Sequence, residues 1–163
     1  MTSQISKSLR FVGRMVVVVM TIITCNCAYA QNTQPSVQQQ LAQLKRLEAM
    51  QPDSTGPKEQ QALLLLSTVV ANPQTKEADA YLEEADRLIN LLGKMKADDE
   101  STLPTLKGFY YICLIVKDPV QNGPRYYREA SDNLAEAQRI NPNNNLAKML
   151  SERFNEGMKD ARK

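Results

Sequence analysis

The apolar residues of this chain recur in threes and fours. Ala78, Leu82, Ala85, Leu88 and Leu92 fall at intervals of 4, 3, 3 and 4, with Ile89 beside them and acidic and basic residues between. That period places them on one stripe of an α-helix and leaves the charges on the opposite face. Val37, Leu41, Leu44 and Leu47 keep the same rhythm, as do Leu146, Met149, Leu150, Phe154 and Met158. Prolines, glycines and polar clusters interrupt the pattern often enough to delimit separate helices. The spacing predicts helices over residues 36–50, 58–72, 75–97, 103–116, 126–140 and 146–160, with Ser36 as an N-cap. Two runs, "ALLLLSTVV" and "FYYICLIV", are apolar on every face and belong inside. The first could also be a buried strand, but no other segment offers a partner strand. The result is an all-α domain of about six helices, with a turn-rich connection over residues 117–124.

The first thirty residues have a different character. Lys7, Arg10 and Arg14 precede the apolar run "MVVVVMTII", and "TCNCAYAQ" then presents Ala28-x-Ala30, the small-x-small pattern of a signal-peptidase site. Nine apolar residues make about half a bilayer span, so the segment reads as a cleaved leader rather than a lasting membrane helix. Lipidation at Cys25 or Cys27 is the competing reading, although Thr24 and Asn26 are poor substitutes for the small residue preferred before a lipidated cysteine. The chain is therefore expected to be exported, to the periplasm or beyond. Its organisation is a signal peptide over 1–30, a polar segment with the first helix over 31–57, and a helical domain over 58–163.

Cleavage would change the charge balance. The leader's three charges are all basic, so the remainder carries 17 basic and 18 acidic residues, and no electrostatic case for nucleic acid survives. It would also leave Cys113 as the lone cysteine, so stability must come from packing rather than an internal disulfide.

Histidine is absent from the whole sequence, which removes Ser-His-Asp and Cys-His catalysis and histidine-bearing zinc sites. Cys113 lies inside "YYICLIV", where burial blunts a thiol. Asp98, Asp99 and Glu100 lack the alternating oxygen ligands and turn glycine of a calcium loop and read as a solvated loop. Glu83 and Arg87 form an ordinary i,i+4 surface pair. "NGPRYYREA" stands out: Asn122-Gly123-Pro124 predicts a tight turn, and Arg125, Tyr126, Tyr127 and Arg128 follow, residue types enriched at binding hot spots. The plainer alternative is that the tyrosines pack this insert onto the domain while the arginines are solvated. No catalytic, metal or cofactor site is expected. The "NPNNN" run at 141–145 reads as one helix stop and the next helix start.

Ala130, Leu134, Ala137 and Pro142 lie at spacings of 4, 3 and 5, with Gly108 and Tyr111 three apart upstream. This resembles a tetratricopeptide repeat, in which small residues let two helices approach closely and a proline ends the hairpin. Ala78, Leu82 and Ala85 repeat the pattern, with Asn90 in the proline's place. The copies are offset by 52 residues rather than the usual 34 or so, and the tryptophan of the first helix is missing. An unrelated bundle using alanines for close packing is the alternative.

The resemblance implies helical hairpins stacked as a short right-handed solenoid that binds peptides or proteins in a groove lined by first helices. Counted from Gly108, the groove positions would be Thr105, Phe109, Ile112 and Cys113. Such an apolar groove would take an apolar partner or be filled by the first helix. The functional expectation is a non-catalytic interaction or scaffold module of the bacterial envelope. Its partner would be another envelope protein or peptide, contacted through Arg125, Tyr126, Arg128, Phe109 and Ile112. A self-associating structural bundle is the runner-up, with homo-oligomers formed through the stripe of the first helix. A carboxylate-dependent envelope hydrolase ranks last.

Overall fold

A computed structural model describes residues 35–161. It contains six α-helices: α1 (Val37–Met50), α2 (Gly56–Ala71), α3 (Ala78–Leu92), α4 (Thr102–Lys117), α5 (Pro119–Ile140) and α6 (Asn145–Ala161). No strand occurs among the described residues, so the all-α, six-helix expectation holds and the strand alternative for "ALLLLSTVV" falls. The cleavage motif at Ala28 and Ala30, together with Cys25 and Cys27, lies outside the described residues.

Local chemistry explains most boundaries. Ser36 caps α1 through a reciprocal box: its hydroxyl accepts from Gln39 N–H (3.2 Å) and its own N–H donates to Gln39 Oε1 (2.9 Å). Pro57 sits in the first turn of α2, where its missing N–H has no consequence, so that helix begins at Gly56 rather than 58. The third helix is shorter at both ends than its periodicity predicts. Thr75 bonds the Glu77 carboxylate, and Ala78 N–H donates to Thr75 O (3.1 Å), a tight turn ahead of the helix. Past Gly93, Lys94 and Met95 bond only three residues back, to Leu91 and Leu92, and the helix unwinds.

The largest departure lies between α4 and α5. Residues 119–124 are helical, not a turn-rich connection, and Asn122-Gly123-Pro124 forms no tight turn. Asp118 alone joins the two helices; its side chain accepts from Gln121 N–H (3.1 Å), and Pro119 takes the first helical position. Pro124 removes one hydrogen bond, to the carbonyl of Val120, but Val120 is 84% exposed and water can serve that carbonyl. Asn122 Nδ2 adds a second hydrogen bond (2.8 Å) to Leu114 O at the end of α4, which also accepts from Asp118 N–H (3.2 Å). The interval that lengthens the second repeat copy is thus an extension of α5.

α4 is the central helix, as its all-round apolarity predicts: α2, α3, α5 and α6 all pack against it. Its tightest crossing is with α5 at Gly108, where a Cβ would lie 2.7 Å from Leu134 Cγ and 3.3 Å from Ala130 O. Ala78, Leu82, Ala85, Ala130, Leu134 and Ala137 are all buried, so both copies of the small-large-small pattern face inward. Pro142 is exposed just past the end of α5, whereas Asn90, its counterpart, remains inside α3.

The loops at 98–101 and 141–144 are tied together. Asp99 accepts from Ser101 N–H (2.8 Å) and Asn141 Nδ2 (2.9 Å). Asn144 caps α6 by accepting from Ala147 N–H (2.9 Å) and donates to Ser101 Oγ (2.8 Å) and Thr105 Oγ1 (2.9 Å). Neither the acidic loop nor the asparagine run is merely solvated: together they clamp the start of α4 to the start of α6.

Candidate interaction surface

Adjacent residues on a helix point 100° apart, and this separates the two tyrosines of "RYYR". Tyr127 turns toward α6 and meets Phe154, with ring centroids 5.3 Å apart. Tyr126 turns the other way and stacks on Tyr111 of α4 at 5.5 Å, the planes 26° apart. Tyr110 meets Tyr111 edge-on at 5.8 Å. Above them Arg125 places its guanidinium 5.0 Å from the Tyr126 centroid. Three half-buried tyrosines and an exposed arginine thus form one patch across α4 and α5.

The patch's electrostatics are mixed. Burial pushes the Tyr110 hydroxyl above its ordinary value, reinforced by the negative charge of Asp86 on α3. Glu129, one turn beyond Tyr126, has a carboxylate oxygen, Oε2, that is shielded from solvent and has no hydrogen-bond partner. The ring edges and the exposed guanidinium can hold a ligand by aromatic contact, cation–π contact and charge-assisted hydrogen bonds.

Of the five residues expected to contact a partner, the structure brings Arg125 and Tyr126 into the patch and leaves Arg128 exposed on α5. Phe109 and Ile112 do not belong there: they are 2% and 0% exposed and form part of the core. The groove positions counted from Gly108 are closed, because α4 is surrounded by its neighbours. Cys113 is one of them, and its Sγ donates to Leu66 O of α2 (3.4 Å). α1 packs principally on α2, so α2 rather than the first helix covers that side of α4. Sequence reasoning used Tyr111 only as a repeat marker and gave Tyr110 no role. The one signal available in the sequence was Tyr111's place three residues beyond Gly108, on the same side of the helix; nothing there singled out Tyr110.

Other candidate chemistry is accounted for by the fold. Burial holds the Cys113 thiol well above its ordinary range. Arg87 pairs with Glu84 through two hydrogen bonds (2.7 and 2.9 Å) rather than with Glu83. Those groups line a shallow 620 Å³ depression on the outward face of α3, completed by Lys94 in the turn that follows it. Among the described residues no three His, Cys, Asp or Glu side chains are placed to hold a metal ion. Nor is any helix there long and apolar enough to cross a membrane. No family model, curated protein or solved structure matches this chain.

Proposed function

We propose that this protein is a non-catalytic interaction or scaffold module of the bacterial envelope, exported to the periplasm or beyond and built from degenerate tetratricopeptide-like hairpins. The observation that carries the proposal is the tyrosine–arginine patch. Tyr110, Tyr111, Tyr126 and Arg125 stand on two helices locked together at Gly108, so a partner meets a rigid surface. Rigid aromatic and arginine side chains give contact area at low entropic penalty. The repeat reading draws support from packing: α2 pairs with α3, α4 pairs with α5, and α2 also packs on α4. The partner is another envelope protein or peptide, bound without covalent chemistry.

The test is affinity capture from envelope extract by the wild-type protein and by the Arg125→Ala/Tyr126→Ala/Arg128→Ala variant, with circular dichroism confirming equal helicity. A partner held by the wild type and lost by the variant is the expected result. Identical capture by both would overturn the assignment of the surface. The runner-up, self-association through α1, has Leu47 (43% exposed) and Met50 (76% exposed) in its favour. Against it, Leu41 packs on the protein's own core.

A further inference from the structure

The two terminal helices of the described chain are held very differently. α6 buries Ala147, Leu150 and Phe154 and is clamped through Asn144. α1 has no buried residue at all. It packs principally on α2 and reaches α3 through a long hydrogen bond from Gln38 Nε2 to the Tyr81 hydroxyl (3.4 Å).

The polar ties between α1 and α2 are gathered at the C-terminal end of α1. Glu48 accepts from Gln61 Nε2 (2.8 Å) and lies 3.9 Å from Lys58 Nζ. Lys58 is buried, yet its ammonium also donates to Pro52 O (2.6 Å) and Ser54 O (3.0 Å) in the connection between α1 and α2. We propose that α1 is a lid that detaches as one segment about Gln51 while residues 52–55 and α2–α6 stay in place.

Three features make that opening cheap. Lys58 keeps both carbonyl acceptors when Glu48 leaves, so no buried cation is stranded. Gln61 Oε1, buried without a partner in the closed state, gains water on opening and offsets part of the loss. The apolar contact given up comes from half-buried side chains such as Leu41, not from a core stripe like that of α3. A released helix of 14 residues is also marginal by itself, so the open lid unwinds.

Hydrogen exchange followed by mass spectrometry on the purified protein tests this, with brief trypsin digestion as a second readout. The amides of α1 exchange at least about tenfold faster than those of α2–α4. Among sites within helices, trypsin cuts after Lys45 and Arg46 before the exposed Lys107 and Arg139. Glu48→Ala speeds exchange in α1 further and leaves α2–α6 unchanged. If α1 exchanges at the rate of α2 with the same denaturant dependence, the chain is one cooperative unit and there is no lid. Acceleration spread evenly over all helices by Glu48→Ala would overturn it equally.

Discussion

Gly108 sits where a methyl group would lie 2.7 Å from Leu134 Cγ and 2.9 Å from Leu134 Cδ2. Alanine there gains helix propensity of about 1 kcal/mol but must push α5 outward or force Leu134 off its rotamer. Overpacking of that kind takes about 1–3 kcal/mol. Because backbone at Ala130 O is also near, Gly108→Ala is expected to destabilise on balance, by about 1 kcal/mol or more, in urea titrations. The sequence hinted at this contact, since Gly108, Ala130 and Leu134 all carry the repeat resemblance. It did not show that the three meet one another. Spacing along one helix cannot say which residue of a second helix it faces.

At the scale of elements, the helices that the apolar period predicted are present, and their errors are instructive. α3 is shorter than its pattern because Thr75 and Gly93 favour local turns over helical bonds. α5 is longer than its pattern because Asp118 and Pro119 make a good start, and the Asn122-Gly123-Pro124 signal is overridden once that start is set. Pro124 still lacks its bond to Val120 O, and its ring still crowds that carbonyl. Pro124→Ala is therefore expected to raise stability by about 1 kcal/mol, within the ~3 kcal/mol ceiling for proline in a helix interior. Urea titration measures it, with far-ultraviolet circular dichroism showing equal or greater helicity. A loss of stability would mean that the first turns of α5 need proline's rigidity in the unfolded chain's favour.

Over the whole molecule, the acidic loop and the asparagine run join distant parts of the chain. Hydrogen bonds from Ser101, then from Asn141, hold the Asp99 carboxyl below its ordinary value of 3.8. A carboxyl depressed on folding contributes stability above its unfolded pKa and loses it as pH falls through the folded one. The melting temperature is therefore expected to drop as pH is lowered below about 4, and Asp99→Asn should flatten that acid limb. Asp99 is half-buried at the surface, so solvent screening keeps the effect modest. With no histidine in the chain, stability should be flat between about pH 6 and 8.

Sequence alone determined the fold class, the inward-facing stripes, the buried central helix and the inert cysteine. Each follows from periodicity or local composition, which the chain carries residue by residue. Only tertiary structure decided that Phe109 and Ile112 are core while Tyr110 and Tyr111 join Tyr126. It alone showed that Asn144 clamps two helices and that the Glu48 carboxylate ties α1 to Lys58 and Gln61. These depend on how helices are rotated about their axes and which neighbour each one meets, and those are properties of packing between segments far apart in the chain.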